Sequence, residues 1–380
     1  LGGYINVAAK SGTNELHGDV YGYFRNRVFN AANPLAHQVL PLTQAQYGAG
    51  VGGPIIHNRT FYFSNFERRD LNQSGLITIT RPNVDTINAR LIATGYPGPM
   101  LFTGLYPNPV HNTNFLFKAD HQFNDKDRFS ARYSLYDVHS FNSRGAGSLS
   151  AASAAAELDN TDQTIAIANV ATLSARLINE TRGQFTNSNL KAPPSDLIGP
   201  AVSISGVASF GTLSSSPTAR LNRLFEIADT LAYQTGAHAI RVGGSFLYNN
   251  DTITFPRSFR GGYTFSSLAN SLSGAYTNNG FTQTFANYVV PQSNPNAGFF
   301  AQDEWKPLPS LTLNLGIRYD LQYLETIVTD KNNISPRAGF AWSPFPSRRT
   351  VSAEATACFT IACRCVRWPM PSCPRGIQRT

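Results

Sequence analysis

The chain has 380 residues, of which 42% are apolar, 12% aromatic and only 14% charged; soluble domains carry roughly 25% charged residues, so the composition fits one large turn-rich β structure or two ordinary domains. No run of ~20 apolar residues occurs, which excludes a transmembrane helix. The net charge of +8 is concentrated after residue 347, where six Arg face a single acid, Glu354; the near-neutral, interspersed remainder excludes a nucleic-acid footprint.

The chain opens at Leu1 without the basic start and apolar core of a secretory signal, and we read it as a fragment. Strand candidates follow in order. Gly3–Ala9, Leu16–Arg25, Gln46–Ile56 and Thr60–Asp70 come first. Next are Asn114–Asn124 with Asp127–His139, Asp162–Leu173 with Arg176–Ser188, and Arg223–Gln234 with Ala237–Asn250. Asn296–Lys306, Ser310–Leu324 and Ser335–Ser343 complete the series. Within pairs the connections are hairpin turns, such as Asn124-Asp125-Lys126-Asp127 and Gln234-Thr235-Gly236-Ala237. Between pairs they are long: about residues 71–113, 140–161, 189–222 and 251–295, rich in Ser, Asn, Gly and Pro. Residues 201–219, uncharged and rich in Ser and Gly, read as loop. Short turns on one side and long loops on the other is the pattern of a transmembrane β-barrel.

The facing is legible strand by strand. From Leu311 to Leu324 the odd positions are Leu311, Leu313, Leu315, Ile317, Tyr319, Leu321 and Tyr323, and the even ones include Asn314, Arg318 and Asp320. A period of 2 gives one apolar and one polar face. The run exceeds the ~5–6 residues of an ordinary strand and suits a span of roughly 9–11 residues between lipid and a wet lumen. Phe129, Ala131, Tyr133 and Leu135 alternate with Ser130, Arg132 and Ser134; Ile240, Val242, Phe246 and Tyr248 alternate with Arg241 and Ser245. Mid-strand Arg is therefore expected to point inward. Asp229 breaks the rule, lying in register with Phe225, Ile227, Leu231 and Tyr233, and calls for a bulge or an interfacial position. Asp303 and Glu304 fall on opposite faces beside Trp305, which expects that segment at a membrane edge. The competing reading is a soluble β-sandwich or repeat protein, in which the apolar face is core.

Residues 1–25 add a resemblance. Gly2-Gly3-Tyr4-Ile5-Asn6-Val7 and Lys10-Ser11-Gly12-Thr13-Asn14-Glu15-Leu16-His17-Gly18 are similar to the plug end and first barrel strand of TonB-dependent outer-membrane receptors of the Oar-like branch. Tyr47–Ile55, Asn58–Phe63, Phe299–Trp305, Leu315–Asp320 and Ser335–Phe340 continue it over roughly residues 1–350. The resemblance implies an all-β fold: an antiparallel transmembrane β-barrel, present as about half of a 22-stranded plugged barrel. It implies residues 1–15 as the end of the plug and 16–346 as partial barrel with long extracellular loops. The implied partners are outer-membrane lipid, an extracellular ligand and, through the plug's TonB box, the TonB energy-coupling complex. Implied too is ligand uptake across the outer membrane. A surface adhesion or structural β-protein, or a passive porin, is the alternative. An incomplete barrel leaves two unpaired edges, so this chain alone is expected not to insert stably.

Other chemistry is weaker. Gly48-Ala49-Gly50-Val51-Gly52-Gly53 matches GxGxxG, but Pro54 and a further strand follow rather than a helix; close backbone packing is the better reading. His17, His37, His57, His111, His121, His139 and His238 show no zinc-helix spacing. Asp125/Asp127 and Asp303/Glu304 read as turn and interfacial carboxylates rather than a catalytic pair. Arg132, Arg241 and Arg318 read as lumen-facing groups paired with acids. No catalytic residue, metal or cofactor is expected, and no substrate-binding residue is named.

The last stretch, 347–380, departs from the rest. It holds all four cysteines, Cys358, Cys363, Cys365 and Cys373, without a CxxC pair. Ala355 to Cys363 back-translates so that a one-nucleotide shift reads Gly-Tyr-Gly-Leu-Phe-Tyr-Asp-Arg-Val, an aromatic strand in keeping with the body. We expect the reading frame to be lost near residue 350.

Overall fold

The computed structural model describes residues 8–34, 37–276, 280–285, 287–325, 327–344 and 352–357. In chain order the first elements are β1 (His17–Asn26), β2 (Leu42–Ile56), β3 (Thr60–Ile77), α1 (Arg81–Ala93) and β4 (Gly104–Pro107). β5 (Val110–Asn124), β6 (Asp127–Arg144), β7 (Ala156–Ser174) and β8 (Leu177–Ala192) follow. Then come β9 (Ala201–Ile204), β10 (Ala208–Gly211), β11 (Thr218–Thr235), β12 (His238–Thr254), β13 (Gly262–Phe265), α2 (Leu268–Ser273) and β14 (Phe281–Thr282). β15 (Val289–Leu308), β16 (Leu311–Gln322), β17 (Ile334–Trp342) and β18 (Ser352–Ala357) close the series.

The long strands form one ladder in the order β1-β2-β3-β5-β6-β7-β8-β11-β12-β15-β16-β17-β18, with β4 added to β3. The path has β1 and β18 at its ends and does not close. Apart from Gly3–Ala9, the segments read as strands from the sequence are present as strands, and several run longer than expected: β3 to Ile77 and β6 to Arg144. Hairpin chemistry accounts for the tight turns. The Asn124 carboxamide accepts from the Lys126 amide at 2.8 Å, and Asn58 takes the left-handed conformation (φ 63°) between β2 and β3. Of the expected strand Gly3–Ala9, residues 8 and 9 are irregular and the others lie outside the described residues.

Chain contacts divide the molecule into two units: Leu1–Ala171 with Thr181–Glu226 and Asn249–Gln292, and Thr172–Glu180 with Ile227–Tyr248 and Ser293–Thr380. The first unit contains what the sequence did not reveal. The long connections carry α1, α2 and a four-stranded sheet ordered β10-β9-β13-β14. Residues 201–219, expected as loop, supply β9 and β10 and the first residues of β11. These pieces enclose a dry core of Ile77, Ile79, Val84, Ile87, Leu101, Tyr106, Ile204, Phe210 and Phe265. α1 fits the role: Thr80 precedes it, a proline stands in its first turn, and Gly95 follows it at φ +68°. Val84, Ile87 and Leu91 give it one apolar stripe against that core. We call this assembly the loop cap.

In the second unit β15, β16, β17 and β18 pair antiparallel. Ser352–Ala357 thus form a strand within the stretch expected to be aberrant; the cysteines lie outside the described residues.

Candidate functional site

In the first unit the register of β3, β5, β6 and β7 builds continuous cross-strand rows. On one face these are Tyr62-Ala119-Ala131-Ile167, Ser64-Phe117-Tyr133-Ile165 and Phe66-Phe115-Leu135-Gln163. Phe66, Phe117, Ile165 and Ile167 remain 38–55% exposed, so no second layer covers them. The next rows change character together: Arg68-Thr113-Asp137-Thr161, then Asp70-His111-His139-Asp159. These groups bond to one another. Arg68 meets Asp70 at 3.0 Å, His111 meets Asp70 at 2.8 Å, and the Thr161 hydroxyl donates to Asp137 at 2.7 Å.

The ten residue steps from Asp127 to Asp137 span ~33 Å of strand, or about 23 Å of depth at a ~45° tilt, close to the ~25 Å apolar band of an outer-membrane barrel. Arg68 faces outward, but it lies beyond the apolar rows, where a charge meets water. The opposite face is polar: Asp120, Lys118, Asn114, Arg132 and Asp162.

The second unit repeats the division. Leu315 and Ile317 are 48% and 50% exposed on one face of β16. Arg318 on the other face holds Asp320 through bonds of 2.7–3.0 Å. Arg241 lies opposite Val242, and Arg132 in the first unit opposite Ala131, so the three arginines singled out in the sequence share the polar side of their strands. Arg318 alone among them has a described acid partner at its side. Asp303 falls on the apolar face, where it bonds His238 at 2.6 Å; the His238 ring stacks on Trp305 at 5.5 Å and 7°. Glu304, on the polar face, pairs with Lys306 at 2.7 Å. A carboxylate, an imidazole and an indole grouped in this way are suited to a membrane edge. Asp229 lies in an outward groove with Leu231, Val242, Gly244 and Phe299. The structure supplies it with a partner: Asn179 Nδ2 reaches both carboxylate oxygens at 3.1 Å.

The glycine run of β2 works by close packing. Gly48 lies under the Tyr21 hydroxyl, which donates to Glu67 at 2.8 Å. Gly52 lies against Gly12 of the segment preceding β1, and a Cβ on Gly12 would strike backbone atoms of Tyr62 and Gly53. Lys118 donates to Ser11 Oγ at 2.6 Å. Asn14 and Asn58 exchange two bonds of 2.6 and 2.7 Å. The segment is thereby pinned to the strands. β3, not a helix, follows the glycines, so the phosphate-cradle geometry of a dinucleotide site is absent here.

In the cap, Asp196 is 1% exposed and accepts from the Tyr96 hydroxyl and from the amides of Ile198 (2.8 Å) and Gly199 (3.1 Å). Burial, then the bond to Asp196, pushes the Tyr96 phenol far above its ordinary value of 10.0. The Tyr106 phenol is raised by burial and donates to the Ala146 carbonyl at 3.0 Å. His111 and His139 are cross-strand neighbours; among the described residues no three His, Cys, Asp or Glu are grouped to hold a metal ion. Asp125 and Asp127 sit at the β5–β6 turn.

A family model described as an outer membrane beta barrel domain matches residues 8–110 and 78–326. No curated protein matches. Among solved structures, the outer membrane transporter YddB from Escherichia coli is 12% identical, with a TM-score of 0.56 over 91% of this chain and 43% of its own. A variant of the ferric enterobactin receptor PfeA from Pseudomonas aeruginosa is 11% identical, with a TM-score of 0.55 over 92% and 44%. The siderophore receptor PirA from Acinetobacter baumannii is 13% identical, with a TM-score of 0.53 over 89% and 42%. The chain thus spans less than half the length of these structures. Exposed apolar rows of membrane depth, a polar reverse face and the matched residues lead to one conclusion: this chain belongs to the outer membrane beta barrel domain family and is a partial barrel of the outer membrane.

Proposed function

We propose that the chain is part of a TonB-dependent receptor that takes up a ligand across the outer membrane. The observation that carries this reading is the pinned segment Lys10–Asn14 on the polar face, an arrangement suited to a plug that ends at residue 15 and continues into a barrel. In the parent, the loop cap would capture ligand and energy-driven movement of the plug would admit it. Binding and passage, not catalysis, is the chemistry proposed. Uptake by the full-length parent, measured with and without its TonB box, tests the reading. Box-dependent uptake is expected. Uptake indifferent to the box would favour a passive porin, and no uptake with retained surface binding would favour an adhesin. For this chain alone we expect no heat-modifiable band after refolding in detergent, because its ladder has two open edges.

We further propose that residues 347–380 are read out of frame. The β17–β18 register supports this. Ser352 pairs with Trp342, Glu354 with Phe340 and Thr356 with Ala338. Ser352 and Glu354 thus extend rows that Trp342 with Leu311 and Phe340 with Leu313 fill with apolar side chains. The shifted frame would put tyrosine at position 356 and restore the pattern. Sequencing the coding DNA across codon 350 decides it; an uninterrupted frame there would end the proposal.

A further inference from the structure

We propose that the polar face of β3, β5 and β6 holds an oxyanion site beside Ser11, built from Lys118, Arg132, Arg59 and Arg128. The register sets Lys118 directly across from Arg132. Two like charges so placed, with Cβ atoms ~5 Å apart, repel unless an anion joins them. One carboxylate is at hand: Asp120 meets Lys118 at 3.2 Å, both side chains being less than one-fifth exposed. Lys118 spends a further hydrogen on Ser11. Arg132 Nε is buried and has no hydrogen-bond partner among the described residues. Adjoining this pair is a cavity of about 210 Å³ lined by Ser11, Asp120, Gln122, Arg59 and Arg128 among others. Ser11 and Asp120 touch Lys118 and also line the cavity, so the Lys118–Arg132 pair adjoins the space that Arg59 and Arg128 line.

Guanidinium groups match the two oxygens of a carboxylate or phosphate and hold them with charge-assisted bonds. Such a group would satisfy the buried Arg132 nitrogen and offset the excess positive charge. The site stands whether or not the parent transports a ligand. Its natural occupants are a carboxylate borne by a chain segment seated on the polar face, as Ser11 already is, or a free phosphate.

The test is calorimetric titration of the full-length parent, purified in detergent, with inorganic phosphate and, separately, with a glutamate-containing tetrapeptide. Saturable binding of at least one probe is expected. It should weaken tenfold or more in Arg128→Gln/Arg132→Gln, and measurably in Arg59→Gln at the β2–β3 turn. Arg318→Gln, whose guanidinium is already held by Asp320, should leave it unchanged. Tighter binding of the peptide assigns a chain carboxylate, and tighter binding of phosphate a free ion. Binding of neither probe, or equal weakening by Arg318→Gln, would overturn the proposal. Near-UV circular dichroism identical among the variants separates lost binding from lost folding.

Discussion

Ile79 and Ile167 are the same side chain in two solvents. Ile79 is fully buried in the loop cap, sealed among Ile77, Val84 and Ile87. Ile167 stands 47% exposed on a strand, in a row of other uncovered apolar residues. The cap must build a dry core because its surroundings are aqueous. The strand band needs none, because hydrocarbon takes the place of a second layer. Neither hydrophobicity nor strand propensity tells the two apart; what does is whether the apolar face finds protein opposite it.

The comparison can be broken most directly by truncation. Ile79→Ala should destabilise the cap by about 2–5 kcal/mol, the cost of a core cavity. Ile167→Ala should leave the cap untouched. Amide hydrogen exchange of α1 and β9 reads the difference, and similar losses for both variants would dissolve the distinction. The converse substitution sharpens it. Ile167→Arg places a charge in the apolar rows and should cost about 2–4 kcal/mol of bilayer stability, whereas arginine is already accommodated three rows beyond, at Arg68. Refolding midpoints of the full-length parent in lipid vesicles check this; tolerance of arginine at 167 would place that row outside hydrocarbon.

A smaller effect is expected for Tyr96→Phe. It removes a donor to the buried Asp196 carboxylate and should cost about 1–3 kcal/mol, seen as faster exchange at Ile198 and Gly199. The smallest is the dependence on pH. The folded cap holds the Tyr96 proton more tightly than the unfolded chain does. The stabilisation is therefore complete below a pH of about 10 and is lost as pH rises toward the folded value. Exchange in the cap should quicken above pH ~10 in the parent chain and much less in Tyr96→Phe.

Much of the ladder was legible because alternation is local. Phe129 to Leu135, or Leu311 to Tyr323, declare a face within a dozen residues, and the turns between them announce themselves through Asn, Asp and Gly. Asp303 beside Trp305 was legible for the same reason. The oxyanion site was not. Lys118 and Arg132 lie in different strands, and only the register brings them face to face. The glycine run of β2 predicts close packing, but that Gly12 is what packs there cannot be inferred from β2 alone.

By itself the sequence determined which residues look toward lipid and which toward the polar side, since a strand's two faces are set by its own order. The tertiary structure alone decided that the long connections fold into a cap. Ile79, Ile204 and Phe265 belong to three separate connections, and no local pattern in any one of them reveals that burial requires the other two.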